Sequence, residues 1–159
     1  MSQLGLLTIG ASCLYNMPME CPVCTEPMLA VEYEEIEIDF CESCSGIWLD
    51  EGELDLLFGD HALTHGFMTA GNPAEVKDEA ARPCPICDAT MKKAVTGGPD
   101  PVVYDYCPEE HGLWFDSGEL LSILKHGSKS GPESPVAHWL RQVFPDVPSA
   151  PQDQASPQP

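Results

Sequence analysis

Cys21-Pro22-Val23-Cys24, and sixteen residues later Cys41-Glu42-Ser43-Cys44-Ser45-Gly46-Ile47-Trp48-Leu49-Asp50, is the stretch that decides the fold. A C-x2-C pair puts two thiolates on one tight turn, and two such turns brought together offer four donors at the corners of a tetrahedron. The chain repeats the pattern. Cys84-Pro85-Ile86-Cys87 is followed by Cys107 to Glu110 and then His111-Gly112-Leu113-Trp114-Phe115-Asp116. The first set reads C-x2-C-x16-C-x2-C and the second C-x2-C-x19-C-x3-H. Free buried cysteines or disulfides are the plain alternative, and recurrence of the whole pattern argues against it.

Both sets suit zinc, which imposes no geometry against a tetrahedron, so the expectation is two Zn2+ per chain. Cys21, Cys24, Cys41 and Cys44 would hold the first ion, and Cys84, Cys87, Cys107 and His111 the second. Aligning the two Gly-x-Trp segments sets Glu110 opposite Cys44 and His111 opposite Ser45, so alignment does not fix the fourth ligand. Imidazole is the commoner companion of three thiolates; Glu110 or a water is the alternative, and a water would leave an open, catalytic type of site. Pro22 and Pro85 stiffen the first turn of each set, and Gly46 and Gly112 are expected at positive φ where the second turn closes.

Charge narrows the partners. The 159 residues carry a formal charge of −19, and residues 17 to 70 hold thirteen Asp or Glu with no Lys or Arg. Phosphate backbones bind through cations that displace counterions, so nucleic acid is disfavoured as a partner; the second set is accompanied only by Arg82, Lys92, Lys93 and Lys125, read as scattered. The acidic run Glu32 to Asp39 reads as a solvated strand face or as a surface for a basic protein partner. Seven of the eight cysteines belong to the two sets, leaving Cys13, which is reduced-compartment usage and implies a cytoplasmic location. Residues 1 to 16 lack a basic n-region and a sustained apolar core, so no signal peptide is expected, and no stretch is long enough to span a membrane.

The fold class expected is a small metal-stabilised α+β protein of two tandem zinc-ribbon modules. Its parts are an N-terminal extension over 1–18, a first module over 19–66, a linker over 67–81, a second module over 82–127, and a mostly disordered tail over 128–159. Met28 to Tyr33 and Ile36 to Phe40 alternate as a β-hairpin, and Met91 to Val95 with Val102 to Tyr106 repeat it around a longer loop. Asp50 to Glu53 and Asp116 to Glu119 read as capping boxes with the Asp as N-cap of a short helix. Leu54, Leu57 and Phe58, matched by Leu120, Ile123 and Leu124, form a core stripe. Trp48 and Trp114 are expected over the metal cluster or on the helix rather than stacking a ligand. His61 and His65 read as a solvated helix end rather than an accessory metal pair, and His126 and His138 carry no constellation. In the tail, Val136, Trp139, Leu140, Val143 and Phe144 mark a short helix over 136–144, which either folds back on a module or docks a partner. Modules this small bury too little surface to fold alone, so each zinc must supply on the order of 10 kcal/mol or more.

In these residues the chain resembles the TFIIB-type zinc finger family, small zinc ribbons of largely uncharacterised cytoplasmic proteins. The resemblance covers Cys21 to Phe58 through CPVC, the hairpin, CESCSGIWLD and EGEL, and Cys84 to Leu124 through CPIC, HGLWFD and SGEL. It implies Cys21, Cys24, Cys41 and Cys44 as ligands of one zinc and Cys84, Cys87 and Cys107 as ligands of another, while His111 departs from the plain four-cysteine pattern. It does not imply transcription initiation, because the helical repeats of an initiation factor have no room here. The leading function is a non-enzymatic zinc protein acting as a protein-interaction or regulatory adaptor: no nucleophile-base pair, P-loop or GxGxxG appears, and four-ligand sites are structural. The alternatives are a transcription-associated nucleic-acid module, and a rubredoxin-like iron carrier or thiol redox sensor.

Overall fold

The computed structural model describes residues 17–59, 61–69, 72–75, 79–97, 99–127 and 135–143. Cys13, and the tail apart from 135–143, lie outside the described residues. The elements run β1 (Leu29–Tyr33), β2 (Ile36–Phe40), β3 (Ile47–Asp50), α1 (Glu51–Phe58), α2 (His61–Met68), β4 (Lys92–Val95), β5 (Val103–Tyr106), β6 (Gly112–Phe115), α3 (Glu119–Gly127) and α4 (Pro135–Val143). This is a small α+β fold of hairpins and short helices. No helix among the described residues is long and apolar enough to cross a membrane.

The two hairpins form where the alternation places them. In β2, Ile36, Ile38 and Phe40 point inward and are buried, while Glu37 is exposed and Asp39 half-buried. Glu34 closes the first hairpin at positive φ, and in the second the longer loop is tied by the Thr96 amide donating to the Val102 carbonyl and the Val102 amide donating to Thr96 Oγ1. The strands β3 and β6 are not foreseen by the sequence reading, which treats Gly46 to Asp50 and its copy only as knuckle and helix start. Each is four residues, buried almost throughout.

These two short strands fuse the repeat into one object. They pair antiparallel, Trp48 opposite Trp114 and Leu49 opposite Leu113, giving a six-stranded sheet in the order β1-β2-β3-β6-β5-β4. One row of directly opposed residues therefore crosses all six strands: Ala30, Asp39, Trp48, Trp114, Asp105 and Lys93. Successive residues alternate faces, so this row and its neighbours i±2 share one face while Ile38, Phe40, Ile47, Leu49, Leu113, Phe115, Tyr104 and Ala94 share the other. That second face packs with Leu54, Leu120, Ile123 and Leu124 into the main core, as the helical stripe predicts.

Three features depart from the expected organisation. Gly59 ends α1 in the left-handed conformation, so His61 and His65 lie on a separate helix, both exposed, with His61 Nδ1 2.8 Å from Asp55 Oδ2. Within the stretch read as linker, α2 runs on to a buried Met68, and Asn72 to Ala74 lie along β4, bonded to Lys93 and Val95. A chain of rings, Phe58 to Phe67 to Tyr104 to Phe115, with centroids 5.2, 5.3 and 6.2 Å apart, carries packing from α1 through α2 into the second half. Of the two roles open to the tail helix, the structure adopts the fold-back: Leu140 is buried in the main core and Trp139 lies against Tyr33 at 4.7 Å between centroids.

Candidate metal centres

Each donor set converges on a point. The ligand atoms of Cys21, Cys24, Cys41 and Cys44 lie within 4.8 Å of one another, as do those of Cys84, Cys87, Cys107 and His111. Sulfur separations are 3.6 Å for Cys21 to Cys44, 3.3 Å for Cys24 to Cys41 and 3.6 Å for Cys87 to Cys107. A tetrahedron with metal–sulfur bonds of about 2.3 Å has edges of ~3.8 Å, whereas a disulfide requires ~2.05 Å. The distances fit shared coordination and not disulfides. His111 completes the second set through Nδ1, 3.4 Å from Cys107 Sγ.

The local backbone explains why His111, and not Glu110, reaches the donors. Both second turns close alike, the Cys41 amide donating to Gly46 and the Cys107 amide to Gly112. Inside the first, the Ser45 amide donates to Cys41 O, four residues back; inside the second, the Glu110 amide donates to Cys107 O, three residues back. The tighter turn places positive φ at Glu110 rather than at the residue aligned with Ser45, and leaves Glu110 exposed. Positive φ falls at Thr25, Ser45, Asp88 and Glu110, which corrects the expectation for Gly46 and Gly112.

Those glycines are needed for space instead. A Cβ on Gly46 would stand inside the Trp114 ring, and one on Gly112 would meet the Trp48 ring and the Leu49 carbonyl. The tryptophans are crossed: each packs on the knuckle of the other half. Both are fully buried, in a second core with Cys21, Met28, Cys41, Cys84, Met91 and Cys107. They therefore pack with the cysteine clusters, as expected, each ring also lying over the glycine of the other half's knuckle.

Burial and amide donors act in opposite directions on the clustered thiols. Burial pushes the Cys21 thiol up to about 11 and the Cys84 thiol up to about 12, and raises Cys44 too. Burial also opposes ionisation of Cys41 and Cys107, but amide donors led by Cys44 on the first and His111 on the second, together with neighbouring thiols, outweigh it and lower both. One cysteine in each set is thus predisposed to ionise, and a metal binding there would have to draw protons from Cys21, Cys44 and Cys84. The Val23 and Ile86 amides point at Cys21 Sγ and Cys84 Sγ, at 3.4 and 3.5 Å.

The capping expectation needs correction. Each aspartate carboxylate is taken by an indole instead, Trp48 Nε1 to Asp50 at 2.6 Å and Trp114 Nε1 to Asp116 at 3.1 Å. Asp50 still flanks α1 but makes no side-chain cap, and Glu53 accepts from the Glu37 amide. Glu119 accepts from the Asp116 amide, the reciprocal half of a capping box, yet α3 begins only at Glu119.

A further cluster is missed by the reading of the motifs. Arg82 Nη1 donates to Asp105 and Asp116 at 3.0 and 2.8 Å, and Lys93 Nζ pairs with Asp105 and Glu79 at 2.8 and 2.6 Å. The cations read as scattered are thus partly consumed in an internal network. The signal for it lay in the repeat: Asp105 and Asp116 correspond to Asp39 and Asp50, whereas Arg82 and Lys93 correspond to Met19 and Ala30.

Comparison with known proteins agrees with this geometry over one segment. Residues 20–58 match the family described as Transcription factor zinc-finger, so the first half carries a zinc-ribbon-like four-cysteine motif. No curated protein and no solved structure matches the chain. The second cluster stands beside the first as another potential metal centre, on its own donors.

Proposed function

We propose that this chain is a non-enzymatic, cytoplasmic zinc protein in which two ribbon-like halves, each closed on one Zn2+, form a rigid adaptor that presents an acidic hairpin to a basic protein surface. The observation that carries this reading is the closure of both donor sets, four atoms each within 4.8 Å. A four-coordinate zinc so enclosed stabilises the fold and keeps no position for water or substrate. Glu32, Glu34, Glu35 and Glu37 are exposed on the β1-β2 hairpin, which supports the acidic face as the contact surface. Engagement of Arg82 and Lys93 by carboxylates speaks against a role on nucleic acid, because it withdraws cations that phosphates would need.

Metal analysis and binding test the reading together. Metal-replete protein should contain two zinc ions, and a variant with Lys at positions 32, 34, 35 and 37 should lose the protein partner captured from cytoplasm by the wild type. One zinc, or mainly iron, would overturn the metal assignment. Duplex DNA bound with a Kd below about 1 μM at physiological salt, tighter than ordinary non-specific binding, would overturn the adaptor reading.

A further inference from the structure

The crossed tryptophans have a consequence for metal binding. Trp114 belongs by sequence to the second donor set, three residues after His111, yet its ring fills the space over Gly46, two residues after Cys44. Trp48 follows the first set and fills the space over Gly112, next to His111. Between them β3 and β6 pair along their whole length, from Ile47 opposite Phe115 to Asp50 opposite Gly112. A fourth link is direct: the Glu51 amide, at the start of α1, donates to the His111 carbonyl at 3.3 Å. The knuckle that holds the last donor of each set is thus covered, bonded or paired by residues of the other half.

We infer that the two metal centres are energetically coupled, and that Trp48 and Trp114 are positioning residues, each acting on the site remote from it in sequence. The inference rests on metal occupancy of both donor sets, as proposed above. A metal bound at Cys21, Cys24, Cys41 and Cys44 fixes the Cys41 to Gly46 turn. That turn is the floor on which Trp114 lies, and a seated Trp114 holds β6 and the preceding His111-Gly112 segment in the conformation its own metal requires. The same holds in reverse through Trp48. Linkage is reciprocal, so whatever factor one occupied site adds to the affinity of the other is returned. Independent ribbons on a linker would show no such factor.

Cobalt(II) titration of the full chain tests this, because four-thiolate and three-thiolate-one-imidazole sets give different d–d bands and report each centre separately. Wild-type protein should show both signatures; neither appearing would overturn the metal reading and this inference with it. In the double variant Cys24→Ser, Cys44→Ser the first centre is lost, and the dissociation constant of cobalt at the second should rise at least tenfold. An unchanged constant, within a factor of two, would overturn the coupling while leaving metal binding intact. Trp114→Phe identifies the route: it should weaken cobalt at the first centre more than at the second. A loss confined to the second centre, its neighbour in sequence, would overturn the crossed assignment. Should Trp114→Phe not fold, Trp48→Phe provides the mirror measurement, with the larger loss expected at the second centre and a loss confined to the first overturning the assignment.

Discussion

Lys93 on β4 reaches Asp105 on β5, Nζ to Oδ1 at 2.8 Å, at the place where Ala30 faces Asp39 in the other half of the sheet. The repeat thus keeps its acids and supplies cations to one half only. Asp105 is 4% exposed and is paired with Arg82 as well as Lys93. Burial still raises its carboxyl, the two cations offsetting part of that. Asp39, with no cation paired to it among the described residues, is pushed up to about 6 by burial and then by Glu37, Asp50 and Glu53.

Arg82→Met, which installs the residue found at the equivalent position of the first half, should cost about 1.5 to 3 kcal/mol, the range for hydrogen bonds to charged groups, since Asp105 keeps Lys93. Denaturant unfolding of the metal-loaded protein measures it. A loss under about 1 kcal/mol, the range of an exposed pair, would show that the network adds little.

Gly46→Ala and Gly112→Ala should each destabilise by about 1 to 3 kcal/mol or more, since the added methyl overlaps a buried ring. Gly52→Ala should do the opposite. Gly52 is on helix α1 with open space at its Cβ position, so the change should gain about 0.5 to 1 kcal/mol. Equal effects at the three sites would contradict the packing described.

Burial raises the Glu119 carboxyl from 4.5 to about 8; the Asp116 amide offsets part of this, while Asp116, Glu79 and Asp105 add to it. The folded chain therefore keeps a proton that the unfolded chain releases, and stability from this group falls as pH rises from about 4.5 to about 8. Glu119→Gln retains the acceptor for Asp116 and removes the charge. Its Tm should exceed that of the wild type above pH 8, and the gap should close towards pH 5, with metal in excess throughout. A gap that widens on acidification would refute the assignment.

His111→Ala should release the second metal, a larger effect than the roughly 10- to 100-fold that an outer partner is worth, while Glu110→Gln should leave both equivalents in place. Competition with a chromophoric chelator reads both variants. The reverse order would make Glu110 the fourth donor.

Leu140→Ala should cost about 2 to 5 kcal/mol in the stability of the whole fold, because a helix nine residues long cannot persist by itself and this side chain is 1% exposed in the main core. Unchanged thermal stability would mean that α4 does not anchor on the body in solution.

Much of this protein is local, and the sequence determined that much alone. Cysteine spacing marks the donors, alternation over Ile36 to Phe40 sets one hairpin face inward, and the i, i+3, i+4 stripe at Leu54, Leu57 and Phe58 marks the core side of a helix; each depends only on neighbours a few residues away. Ligand preference already points to His111 over Glu110, and the turn adds the geometry, a bond to Cys107 O from three residues on rather than four accompanying His111 among the sulfurs. The fusion of the halves was settled only by tertiary structure. Ile47 to Asp50 and Gly112 to Phe115 are four residues each with no apolar-polar alternation to announce a strand, and each finds bonding partners on one side in its own hairpin and on the other in the opposite half. From that one pairing follow the crossed tryptophans and the spatial need for Gly46 and Gly112.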